Sequence, residues 1–142
     1  ANSETMNEIA TAGKGWSIAL WVAQGMLAAA FGMAGAMKMF TPVADLAAQM
    51  AWAADSHWML IRFIGIAEIA GALGLILPAA TRVKPILTPL AASGLVVVMV
   101  LAALTHVMYG EFSAMVPILV LGSLAAFVAW GRFSKRSISP RG

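Results

Sequence analysis

A chain of 142 residues, 61% hydrophobic and 11% charged, lies far below the roughly 25% charged content of an ordinary soluble domain, and a water-soluble fold of this size could not hide so much apolar surface. Four hydrocarbon-crossing stretches of roughly 20 residues each would use nearly the whole sequence, so a single transmembrane domain over residues 1–142 is expected, with no room within it for a second. The formal charge of +3 comes from basic residues at the ends of apolar runs, which argues for bilayer orientation and against nucleic acid, and the absence of cysteine excludes disulfides, thiolate metal sites and thiol exchange.

Residues 1–15 are polar and small and read as a tail. From Trp16 to about Met37 the only strongly polar side chain is Gln24, so the first helix is expected over 16–37, retained rather than removed as a signal peptide. The connection from Lys38 to Trp58 is the only long one. Within it Val43, Leu46, Ala47 and Met50 recur at helical spacing, which suggests a short helix lying in the membrane interface; a plain surface loop is the alternative.

The second helix is expected over 59–79, the third over 86–108 and the fourth over 114–131, with a polar tail over 132–142. Pro78, Pro85 and Pro89 bracket the turn between the second and third helices, and Pro117 falls in the first turn of the fourth, where its missing N–H costs little. The expected class is therefore all-α: an integral membrane four-helix bundle. Counting Lys and Arg on the two sides sets its orientation. Lys14, Arg82, Lys84, Arg132, Lys135, Arg136 and Arg141 fall on the side of both termini, against Lys38 and Arg62 on the other, so both termini are expected in the cytoplasm. Trp16 and Trp130 then mark the inner interface, and Trp52 and Trp58 the outer one.

Small residues recur four apart: Ala28, Gly32 and Ala36 on the first helix, Ala67 with Gly71 and Ala70 with Gly74 on the second, Gly122 with Ala126 on the fourth. Lipid gives helices no hydrophobic reason to associate, so such spacing is expected to bring backbones close within the bundle or to form a homo-oligomer face.

Ionisable residues inside the bilayer are costly, and each raises a functional question. Glu68 falls near mid-membrane and Arg62 near the outer end of the same helix. Six positions separate them, about 9 Å of rise and about 240° of rotation, so they cannot pair well with each other. Lys38 ends the first helix at the outer side, where His106, Tyr109 and Glu111 end the third. Two readings follow: an internal salt-bridge network locking the helices, which is preferred, and a ligand pocket for a polar head group such as quinone ring oxygens, its apolar tail between helices. Glu68 is expected to be neutral and hydrogen-bonded unless Arg62, Lys38 or His106 reaches it. A haem is disfavoured, because the second histidine, His57, falls in the outer connection rather than opposite His106. Gln24 and Thr105 are expected to bond to neighbouring backbone.

The first helix closes with Gly35-Ala36-Met37-Lys38. The second reads Arg62-Phe63-Ile64-Gly65-Ile66-Ala67-Glu68-Ile69-Ala70-Gly71-Ala72-Leu73-Gly74-Leu75, and the third ends Leu104-Thr105-His106-Val107-Met108-Tyr109-Gly110-Glu111. Together, from about Trp16 to Arg132, this pattern resembles the DoxX-like family of small four-helix membrane proteins. The resemblance implies a loose association with quinone-linked redox complexes and no established activity for most members; transferred positions would fall on Lys38, Arg62, Glu68, His106 and Glu111. An accessory or structural subunit of a membrane redox complex is the preferred function, more in keeping with the chain than an enzyme acting alone. The alternatives are a component that binds a quinone or another small hydrophobe, and a small transporter acting as an oligomer. The chain itself carries no cofactor on this reading; its expected partners are the bilayer and either other subunits or further copies of itself.

Overall fold

A computed structural model describes residues 3–42, 44–45, 48 and 58–141. Among the described residues four long helices carry the fold: α1 (Ser3–Phe40), α2 (Trp58–Thr81), α3 (Leu87–Met108) and α4 (Met115–Trp130). A 3₁₀ turn (Phe112–Ala114) leads into α4 and a π-helical turn (Gly131–Lys135) follows it. Among the described residues four spans are long and apolar enough to cross a membrane: Gly13–Phe40 of α1, α2, α3, and Phe112–Ser134, in which the turns on either side extend α4. The outside of the bundle is apolar as well, with Met33, Phe63, Val97, Val116 and Leu119 all exposed. Such a surface is stable against lipid and not against water. The chain is a multi-pass membrane protein.

Helix α1 starts well before the expected Trp16. Glu4 sits in its first turn, where an acid complements the helix dipole, and no proline interrupts the run before Pro42. Residues 3–15 are therefore helical rather than an unstructured tail. The helix ends at Phe40, with Thr41 N–H donating to the Met37 carbonyl at 3.0 Å just before Pro42. Val43, Leu46, Ala47 and Met50, on which the interfacial helix rests, lie outside the described residues, as do Trp52 and His57.

The helices run up, down, up and down, each packed on the next, with α4 closing against α1. The tightest crossing joins α1 to α2 at Gly35 and Gly65. A Cβ on Gly35 would stand 2.7 Å from the Gly65 carbonyl oxygen, and one on Gly65 would stand 2.9 Å from the Gly35 carbonyl oxygen. Backbone touches backbone there, as small residues permit. On α2, Gly71 meets Leu95 and Gly74 meets Ala91, which clamps α2 to α3 in the half nearer the termini. Between them lies a core of Ala23, Leu27 and Phe31 from α1, Leu75 from α2, Leu95 and Met99 from α3, and Ala125 and Val128 from α4.

Pro78 does not end α2, which continues to Thr81. A proline removes the N–H that would bond the carbonyl four residues earlier, here Gly74. The Thr88 hydroxyl donates to that carbonyl at 2.9 Å, a side-chain repair from α3 of the kind a proline inside a membrane helix requires. Beyond α4 the chain is not a loose tail either. Arg82, in the turn after α2, donates to the Ser139 carbonyl at 3.0 Å and its own carbonyl accepts from Arg141 N–H at 2.8 Å.

Candidate functional site

The end of the bundle away from the termini collects most of the ionisable side chains that sequence singles out. Lys38 occupies the last turn of α1, where a cation complements the helix dipole. Its ammonium donates to Glu68 Oε1 at 2.6 Å. Glu68 is 1% exposed, so this is the partner that a carboxylate in the bundle interior requires. Arg62 stands elsewhere: it donates to the Lys38 backbone carbonyl at 2.8 Å, capping one of the orphan carbonyls at the end of α1. Of Arg62, Lys38 and His106, the groups expected within reach of Glu68, Lys38 is the one that forms an ion pair with it.

A second pair forms where α3 ends. His106 Nδ1 lies 3.2 Å from Glu111 Oε1, and the Glu111 N–H donates to the His106 carbonyl at 2.8 Å. Gly110, at φ 71°, makes the turn that folds Glu111 back onto His106. The ionisable groups at this end thus form two local pairs on opposite walls of a cleft. Thr105 donates to the Leu101 carbonyl, its own helix's backbone, as expected.

Between the walls is a cavity of about 690 Å³. Its geometry follows from the clamp described above: α2 and α3 touch at Gly74/Ala91 and Gly71/Leu95 and open from there toward the far end. Lys38, Glu68, Thr105, His106 and Tyr109 supply polar surface, and Leu60, Phe63, Ile64, Met99, Leu101 and Leu104 the apolar remainder. Phe63, Leu101 and Leu104 are more than half exposed on the lipid-facing surface, so the cleft opens sideways into the hydrocarbon. Arg62 and Glu111 do not line it; they hold Lys38 and His106, which do. A smaller cavity of about 280 Å³, lined by Ala67, Ala70, Ala91 and Gly94 among others, continues along the same α2–α3 seam.

The arrangement can offer an ammonium donor, a carboxylate acceptor, an imidazole and a phenol to a guest whose body is apolar. Among the described residues no group of three His, Asp or Glu side chains is placed to hold a metal ion.

Sequence reasoning passes over a polar cluster at the opposite end. Gln24, fully buried on α1, donates to the Leu75 carbonyl of α2 at 2.6 Å and accepts from Arg132 Nε at 2.7 Å. Its backbone partner, as expected, is a neighbour, and belongs to the adjacent helix rather than to α1 itself. Arg132, counted from sequence as an orientation charge, is 3% exposed. Its Nη1 donates to the Arg136 carbonyl at 3.0 Å, and its guanidinium lies 5.5 Å from the centre of the Trp21 ring. The available signal is Gln24 itself, the one strongly polar side chain in an otherwise apolar span.

A family model described as the DoxX-like family matches residues 22–128, a stretch that contains the cleft, the Lys38–Glu68 ion pair and the His106–Glu111 contact but stops short of Arg132. No curated protein and no solved structure matches the chain.

Proposed function

The chain belongs to the DoxX-like family, and from that footing we propose that it binds a small hydrophobe with a hydrogen-bonding head group, of which a quinone is the type, in the cleft between α2 and α3. The observation that carries this reading is the cleft itself: about 690 Å³, open to lipid along one side, with Lys38, Glu68, His106 and Tyr109 among its lining. A membrane-dissolved guest reaches such a site without crossing water. Ring oxygens could accept from Lys38, and a hydroquinone hydroxyl could donate to Glu68. The chain has no cysteine and so no thiol redox chemistry, and on this reading the electrons for any redox step come from a partner. On this reading the protein works as a component of a quinone-linked membrane complex rather than as a free-standing enzyme. The excess of Lys and Arg on the side of the termini supports a cell membrane location with both ends in the cytoplasm.

An accessory role in holding such a complex together draws support from α4, the least buried of the four spans, which leaves Val116, Leu119 and Val120 exposed. These side chains suit either lipid or a neighbouring subunit.

The experiment that tests binding is titration of a short-chain quinone into the protein held in lipid nanodiscs, compared across Glu68→Gln, His106→Ala and the unaltered chain. Affinity about tenfold lower in either variant, with unchanged helicity, is expected from loss of one buried polar contact. Saturable binding that is the same in all three proteins would remove the cleft from the reading.

A further inference from the structure

We propose that the bundle end holding both termini carries a second site, specific for a phosphate-bearing anion, built on Arg132 and Arg136 at the seam of α1 and α4. Arginine is always charged, and burying a guanidinium is costly unless an anion or a full set of acceptors meets it. Arg132 is 3% exposed, yet its hydrogen-bond and ring partners are neutral: the Gln24 amide oxygen, the Arg136 carbonyl and the face of Trp21. Its third nitrogen, Nη2, is buried without a hydrogen-bond partner.

The local backbone is arranged around this cation. The π-helical turn closes with Arg136 N–H donating to the Gly131 carbonyl at 2.7 Å, which carries the chain past Leu20 at Gly131, where a Cβ would collide with that leucine. The Arg136 guanidinium then lies against α1 at Gly13, where a Cβ would come within 3.0 Å of its Nη1. Arg136, whose backbone carbonyl accepts from Arg132 Nη1, thus brings a second cationic side chain to the same end of the bundle. Of the carboxylates whose side chains are described, Glu68, Glu111 and Asp45 belong to the other end, and Glu4 stands about 13 Å of helix rise from Gly13.

Two guanidinium groups at one end of the bundle supply the charge and the forked N–H donors that a tetrahedral phosphate accepts from. Arg136, which is exposed, meets the ligand first, and Arg132 Nη2 supplies the donor behind it. Trp16 and Trp130, with ring centres 5.4 Å apart, pack at the same seam, and paired indoles at this level suit the glycerol region of a lipid. The ligand chemistry is the phosphate; its source is a phospholipid head group or a free phosphate.

The test uses the full chain, stripped of lipid in mild detergent and examined by native mass spectrometry against phosphatidylglycerol, diacylglycerol and inorganic phosphate. One phosphatidylglycerol per chain, retained at least about tenfold better than diacylglycerol and weakened to the same degree by Arg136→Gln and by Arg132→Lys, is the expected result. Arg132→Lys keeps the charge and loses the fork, and Arg136→Gln alters an exposed side chain, so both are expected to fold; helicity by circular dichroism checks it. Displacement of the lipid by millimolar inorganic phosphate, or saturable phosphate binding alone, would assign the same residues to a free phosphate. Equal retention of phosphatidylglycerol and diacylglycerol without phosphate binding, or retention untouched by both substitutions in folded protein, would overturn the site.

Discussion

The Lys38 ammonium and the Glu68 carboxylate, thirty positions apart in the chain, meet at 2.6 Å and bridge α1 to α2 at one wall of the cleft. Removing one partner leaves the other charge stranded in a low-dielectric interior, whereas removing both leaves an apolar surface that packs without penalty. Lys38→Met and Glu68→Leu are each expected to cost about 3 kcal/mol. The double variant should recover most of that loss, read as thermal unfolding in detergent. Additive losses in the double variant would mean that the pair contributes packing rather than mutual charge compensation.

Gly65 sets the distance across which that pair forms. A Cβ there would stand 3.0 Å from Lys38 Cβ and 3.1 Å from Met39 Cγ, as well as against the Gly35 carbonyl. Gly65→Ala is expected to push α1 off α2 and to cost roughly 1–3 kcal/mol through overpacking. Because Lys38 is displaced with it, quinone affinity should fall in the same variant. Gly94→Ala is the control: a Cβ at Gly94 meets nothing within 4 Å, so both stability and affinity should hold.

The spans were legible because length and hydropathy alone define them, and the loop-end polar residues because so few ionisable groups interrupt those spans. Their partners were not. A helix apolar on every side carries no periodic record of which face is inward, so nothing in the sequence says that Arg62 reaches the Lys38 carbonyl while Lys38 reaches Glu68. The same gap hid Gly35, whose crossing with Gly65 is closer than the contact at Gly32, where a Cβ would meet only Ala72 at 4.0 Å. Arg132 was overlooked for a different reason. A basic residue just past an apolar run is ordinarily a solvated orientation signal, and only the packing of α4 on α1 shows this one buried against Gln24.

Arg62 acts on the end of α1, and among the described residues it pairs with no carboxylate, which changes what its loss should do. Arg62→Ala is expected to free one carbonyl at the α1 terminus and cost about 1–2 kcal/mol. The Lys38–Glu68 pair itself stays in place. Hydrogen exchange should therefore rise in the last turn of α1, near Met37 and Lys38, while remaining unchanged at Glu68. Faster exchange centred on α2 instead would return Arg62 to the role of a charge partner.

The repair of Pro78 by Thr88 permits a test in which a second substitution reverses the first. Thr88→Val deletes the hydroxyl and leaves the Gly74 carbonyl buried without its donor, an expected loss of about 1–2 kcal/mol. Thr88→Ser keeps the donor and should cost much less. If the threonine is needed because a proline stands four residues after Gly74, then Pro78→Ala restores a backbone N–H to that carbonyl and Thr88→Val becomes nearly silent in the Pro78→Ala background. A coupling of about 1 kcal/mol or more between the two positions, measured as a double-mutant cycle in detergent unfolding, is the expected outcome. Independent effects would show that Thr88 acts by packing in the α2–α3 clamp, and that α2 around Pro78 tolerates the unbonded carbonyl.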